Sequence, residues 1–158
     1  IELKPEMDKI GVKAQEIKDR LSFLVDEDTK AFNKLMVANR LSSGNDDETS
    51  ERAFAIRQAN EYAIEIPLEV AILCSRVIDL TKVLVEKGNP NSISDVGVAA
   101  DVALAGVRGA SMNVLINLPN LKDEVYCNDK RKAVEKLIQD AETNRNIVFD
   151  KTMKIINP

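Results

Sequence analysis

The chain has 158 residues, 44% of them apolar and 30% charged, and carries a net charge of −4. That suits a single globular domain, residues 1–158, long enough to bury a sizeable core. It contains no histidine, which excludes Ser-His and Cys-His nucleophiles, phospho-histidine relays and the usual imidazole-bearing zinc and di-iron sites.

Helical periodicity dominates from the start. Between about Pro5 and Arg40, the positions Ile10, Ala14, Ile17, Leu21, Leu24, Asp28, Ala31, Leu35 and Ala38 follow alternating steps of four and three. This predicts one helix with a continuous inward stripe, in which only Asp28 is not apolar. A polar connection follows over Leu41–Asp47, and Asp46 or Asp47 is expected to cap the next helix. That helix runs through Arg52, Ile56, Ala59 and Ile64. Pro67 should kink it or divide it in two, because proline lacks a donor and clashes with the preceding turn. The apolar pattern resumes from Leu68 to Val85, and Gly88 is placed as a stop.

The segment Asn89-Pro90-Asn91-Ser92-Ile93-Ser94 reads as an ordered turn, with Ser94 or Asp95 capping a further helix to about Asn117. One face of that helix is small: Ala99, Ala103, Gly106, Ala110, Asn113 and Asn117, with Gly97 and Gly109 nearby. Glycine inside a helix costs about 1 kcal/mol relative to alanine, so something should approach that face closely. Pro119 ends the helix. A last one is expected from about Asp129 to Ile155, with Val134, Leu137, Ile138, Ala141, Val148 and Ile155 at core spacing. No segment alternates with period two, so the expectation is an all-α bundle of five or six helices in antiparallel or mixed packing.

Three features could carry chemistry. With histidine absent, proton transfer falls to Asp, Glu, Lys, Tyr or Cys. Asp28 in an apolar seam would lose solvation and hold a proton near neutral pH, although a hydrogen-bonded helix residue or a register device fits the same spacing. Asn113 and Asn117, one turn apart on the small face, could present amides to a planar heterocycle or simply bridge closely packed helices. The Asn89–Asp95 turn could bind an anion or be an ordinary cap. Cys74 and Cys127 lack CxxC spacing and read as inert, reduced thiols of a cytoplasmic protein. The absence of Trp, 4% aromatics and scattered basic residues argue against nucleic acid. No apolar run of membrane-spanning length, signal peptide, GxGxxG, P-loop or EF-hand spacing is found, so no membrane, cofactor or metal is expected.

The residues Leu24-Val25-Asp26-Glu27-Asp28-Thr29-Lys30-Ala31-Phe32-Asn33 resemble the "VDxDAxAF" segment of the cyclodeaminase/cyclohydrolase family. Ala55–Ala59 and Ile66–Ala71 resemble its "AIQxA…VPLxvA" pattern. Gly88–Ala100, beginning Gly88-Asn89-Pro90-Asn91-Ser92, is the strongest block, and Gly109–Leu118 continues it as "GAxxNVxIN". The likeness covers about residues 15–126 in order. It implies an all-α, usually dimeric protein and a tetrahydrofolate substrate. It also implies one of two reactions: cyclodeamination of 5-formimidoyltetrahydrofolate, or hydrolysis of the methenyl bridge. By the same resemblance Asp28 matches the family's acid/base aspartate, and Asn89, Ser94, Asp95, Asn113 and Asn117 fall on its motif positions as substrate-pocket residues. Arg57 and Lys87 are candidates to meet the glutamate tail.

Two departures stand out. Nothing before Ile10 resembles the family's glycine-rich first helix, and Leu41-Ser42-Ser43 replaces its "LPK". No formimidoyltransferase domain is expected within these 158 residues. These departures leave a second expectation open, a non-catalytic helical dimerisation module of the same fold.

Overall fold

A computed structural model describes residues 4–42 and 44–158. Among them are four α-helices and no strand: α1 (Lys4–Asn39), α2 (Asp46–Lys87), α3 (Ile93–Asn117) and α4 (Glu124–Ile156). Short 3-10 turns at Pro90–Ser92 and Leu118–Asn120 lie between the later helices. The connection between α1 and α2 includes Ser43, which lies outside the described residues, as do residues 1–3.

The expected five or six helices become four because α2 passes through Pro67 unbroken. A proline offers no N–H to the carbonyl four residues earlier, here that of Ala63. The side chain of Asn117 supplies the missing donor from α3: its Nδ2 reaches the Ala63 carbonyl at 3.1 Å and the Asn113 carbonyl at 2.9 Å. The orphaned acceptor is thereby satisfied from outside the helix, and Pro67 is buried in the core.

Helix starts also shift from expectation. Asn45, not Asp46 or Asp47, caps α2, its side chain accepting from the Glu48 N–H at 2.8 Å. Asp123 caps α4 by accepting from the Tyr126 N–H at 3.0 Å, so the helix begins at Glu124, five residues before the Asp129 that the apolar pattern alone suggests. Ser92 stands at the cap of α3 without a side-chain bond, so Ser94 and Asp95 lie inside its first turn instead of capping it.

Consecutive helices run antiparallel. Glu6 pairs with Lys87 at 2.8 Å and Arg20 with Glu69 at 2.6 Å, fixing α1 against α2. Arg108 pairs with Glu142 at 2.6 Å, and Arg145 with Asp101, fixing α3 against α4. α2, α3 and α4 pack together around stacked apolar layers, from Ile64, Val114, Leu118 and Val134 at one end to Val85, Val96, Ala100 and Val148 at the other. α1 rests on α2, through Ile17, Leu24 and Ala31 against Ile66 and Leu73.

That arrangement decides the fate of the α1 stripe. The expected nine positions form two columns, each repeating every seven residues. Ile10, Ile17, Leu24, Ala31 and Ala38 are buried. In the second column Ala14 and Asp28 are exposed, while Leu21 and Leu35 are half-buried. A helix lying on a single neighbour buries a seam about one column wide, not two. The expectation that Asp28 is withdrawn from water is therefore corrected: its carboxylate is exposed on the rim of the seam. In α4, likewise, Val134, Ala141 and Val148 are buried but Ile155 is exposed.

The small face of α3 is explained at Gly106, where a Cβ would stand 2.6 Å from Cys74 Sγ of α2, and at Gly97, where it would meet Thr152 of α4 at 3.1 Å. At Gly109 a Cβ would meet nothing within 4 Å. The region Pro90–Asn120, contrary to expectation, is long and apolar enough by length and composition to cross a membrane.

Candidate functional site

The six sequence-selected residues fall at two ends of the bundle. The Glu27–Tyr62 contact places the Asp28 turn of α1 beside Tyr62 of α2. Asn117 reaches the carbonyl of the very next residue, Ala63. Asp28, Asn113 and Asn117 thus share one level of the fold. Asn89, Ser94 and Asp95 sit where α2 gives way to α3. A helix rises about 1.5 Å per residue, so Asp95 and Asn113 are roughly 27 Å apart along α3. The six residues do not converge on one pocket within the chain.

Each has a definite environment. Asp28 makes no hydrogen bond or ion pair among the described residues, and the turns on either side of it expose Val25 and Phe32, 68% and 63% accessible. Asn113 is exposed. Asn117 is half-buried with its amide hydrogens committed to two backbone carbonyls, the bridging role that its spacing also allowed. Asn89 accepts from the Asn91 N–H at 3.0 Å, an ordinary Asx turn. Ser94 and Asp95 are exposed. Arg57 is paired with Glu61 at 2.8 Å and Asp123 at 3.6 Å, while Lys87 is held by Glu6.

A cavity of about 830 Å³ opens between the C-terminal half of α1 and the first half of α2, with Lys30, Lys34, Val37, Gln58, Tyr62 and Glu65 among its walls. Successive helix residues point about 100° apart, so Glu27 takes the flank of the seam opposite Asp28. Its carboxylate accepts from the Tyr62 hydroxyl, and from Lys30 Nζ at 2.7 Å. Those bonds, Lys30 foremost and Tyr62 next, hold Glu27 below the usual glutamate range. The same contact, reinforced by desolvation, raises the Tyr62 hydroxyl above its ordinary value. Near neutrality Glu27 stays charged and Tyr62 stays protonated, so the pair can bind and orient but is not poised to exchange a proton. Lys34 Nζ lies 4.1 Å from the centre of the Tyr62 ring, adding a cation over the aromatic face.

Beside this cleft the Tyr126 hydroxyl donates to Glu65 at 2.8 Å, and Lys130 pairs with the same carboxylate at 2.5 Å. Burial is the main cause that pushes the Tyr126 hydroxyl well above the tyrosine range, with the Glu65 bond second. Sequence reasoning passed over Glu27, Tyr62 and Lys34. Their signal was present in the seven-residue step from Glu27 to Lys34, on the flank three residues beyond the buried column at Leu24. No group of three or more His, Cys, Asp or Glu side chains that could hold a metal occurs among the described residues.

Comparison with known proteins adds the missing context. The family profile described as formiminotransferase-cyclodeaminase matches residues 1–136. The chain is 31% identical over 157 residues to a methenyltetrahydrofolate cyclohydrolase of Methylorubrum extorquens, covering 99% of this chain and 76% of that protein. It is 33% identical over 130 residues to the formimidoyltransferase-cyclodeaminase of Rattus norvegicus, 82% of this chain but only 24% of the rat protein. The chain therefore spans about a quarter of the animal enzyme. Among solved structures, a formiminotetrahydrofolate cyclodeaminase from Thermotoga maritima superimposes with a TM-score of 0.85 at 26% identity, covering 98% of this chain and 73% of that one. A likeness that runs nearly end to end in sequence and in fold has one consequence: the chain belongs to the formiminotransferase-cyclodeaminase family.

Proposed function

We propose that the protein acts on the one-carbon bridge of a tetrahydrofolate derivative, either hydrolysing the methenyl bridge or releasing ammonia from the formimidoyl group. The reading is carried by the 31% identity over 157 residues to a protein named for the first activity, and it is supported by relatives named for the second. Both reactions pass through a tetrahedral carbon between two folate nitrogens, and both need one proton moved. We assign that step to Asp28. In ring hydrolysis its carboxylate takes a proton from the attacking water. In deamination the acid form gives a proton to the departing amine.

Asp28 is accessible in the unliganded chain, and exposed Val25 and Phe32 flank it. A heterocycle resting on those two side chains would shield the carboxylate from bulk water. Asn113 and the free Oδ1 of Asn117 lie at the same end and are the groups to orient the pterin.

The test is Asp28→Asn, assayed on methenyl- and formimidoyltetrahydrofolate, with ammonia release separating the two activities. Loss of about 100-fold or more in turnover is expected, the usual range for a general acid or base. Turnover within about twofold of the unaltered protein removes the role given to Asp28. The second reading, a non-catalytic helical module, draws on one observation: Asp28 has no partner to fix its position. Titration with a reduced folate, followed by melting temperature, decides between them. A rise under saturating ligand supports the enzyme, and no rise supports the module.

A further inference from the structure

The step assigned to Asp28 makes no use of the cleft between α1 and α2, which lies on the other flank of α1. Six residues separate Asp28 from Lys34, a turn of about 600°, which leaves their side chains about 120° apart. Ala31 is three residues from each and is buried between them. Leu24 and Ala31 pack on α2 along that column, so α2 stands between Asp28 and the cleft. The cleft, at about 830 Å³, has the size of a small-molecule site, and Val37, Leu41, Ala55 and Ala59 give it apolar walls. Three of the four charged residues that line it are answered by the chain: Lys30 by Glu27 at 2.7 Å, Glu61 by Arg57 at 2.8 Å and Glu65 by Lys130 at 2.5 Å. Lys34 makes no ion pair among the described residues. Its ammonium stands 4.1 Å from the centre of the Tyr62 ring, and that ring is anchored in turn because its hydroxyl donates to Glu27. An apolar cleft is thus left with one unanswered cation held at its edge.

We propose that this cleft is a second ligand site, separate from the one at Asp28, and that it takes a small monocarboxylate with an apolar body. The carboxylate meets the Lys34 ammonium, and the body lies against Val37, Leu41, Ala55 and Ala59. An ammonium carries three donors, and an aromatic face satisfies none of them as a carboxylate does, so charge-assisted bonds to the ligand remain to be made. The charge of the ligand follows from the same balance. One negative charge matches the one unanswered cation, whereas Glu61 and Glu65 along the α2 wall would repel a second. A phosphate or a polyanion is therefore disfavoured, and a cationic ligand would be set against Lys30 and Lys34. The apolar walls need a body that gains by leaving water. The inference stands on the geometry and charge of the cleft and is independent of the folate reading.

The experiment titrates benzoate and octanoate into the whole chain near neutral pH and follows backbone amide shifts by NMR, with benzamide and octanamide as uncharged counterparts. At least one acid should bind saturably, with shifts centred on residues 30–41 and 55–65, and about fivefold or more tighter than its amide. Added salt should weaken the acid and leave the amide unchanged. Lys34→Gln should weaken the acid by about fivefold or more and abolish its advantage over the amide, and Lys34→Arg should restore binding to within about twofold. Ala55→Leu fills the cleft with Lys34 intact and should weaken acid and amide alike. Far-UV circular dichroism confirms that each variant remains helical. Shifts that do not saturate or that centre elsewhere, equal affinity for acid and amide, or indifference to Lys34→Gln would overturn the proposal. Displacement of the bound acid by a reduced folate would merge the cleft with the substrate site, and would equally overturn it.

Discussion

Gly106 and Gly109 lie one turn apart on α3, yet they sit in opposite surroundings. A methyl group at the first would collide with Cys74 Sγ, and at the second it would meet nothing. The difference extends along the helix. The inner face is fitted atom by atom: Ala103, Val107 and Ala110 are buried, Gly106 admits Cys74, and Asn117 repairs the ladder broken by Pro67. The outer face is apolar too, but its large side chains stay exposed among the described residues. Packing constraints therefore explain the inner glycine, and nothing in the structure requires the outer one.

The largest expected effect is on the inner face. Asn117→Ala leaves the Ala63 carbonyl without a donor beside the buried Pro67, and should destabilise by about 1–3 kcal/mol in urea unfolding. In a Pro67→Ala background the restored N–H serves that carbonyl, and the loss on removing Asn117 should shrink markedly. An equal loss in both backgrounds would disprove the repair role. Next comes the glycine comparison itself. Gly106→Ala should cost about 1–2 kcal/mol by overpacking against Cys74, with partial relief from Cys74→Ala. Gly109→Ala should be neutral to the subunit or stabilise it by up to about 1 kcal/mol through helix propensity. Similar costs at both positions would erase the distinction between the faces.

The smallest effect concerns acid. The folded-state affinity of Glu27 for a proton is lowered by Lys30 and Tyr62. Its contribution to stability is present above the ordinary glutamate value and is lost as pH falls through the folded one. Tyr62→Phe removes one of the two bonds, so the decline in melting temperature below about pH 4.3 should become shallower.

Much of this was legible in the sequence. The heptad steps of α1, the end of α3 at Asn117 and the demand for a close approach at Gly106 follow from side-chain size and period. The family blocks around Asp28, Asn89 and Asn113 also pointed to the family that the comparisons establish. The exposure of Asp28 was not legible. Both columns of the stripe look alike on a helical projection, and only the number of neighbouring helices tells which is covered. Nor was it visible that Asn89 and Asn113 lie at opposite ends of α3, because adjacency in a motif list carries no distance.

The residues alone determined that the chain is helical, where most helices turn, and which faces are apolar, because these depend on local period and backbone chemistry. Tertiary structure decided the rest. α2 survives Pro67 because an amide from another helix replaces the lost donor. Asp28 remains in water because α1 has one neighbour instead of two. Satisfaction of a carbonyl and removal of water from a carboxylate both depend on what another segment brings within a few ångströms, and periodicity along one helix does not contain that information.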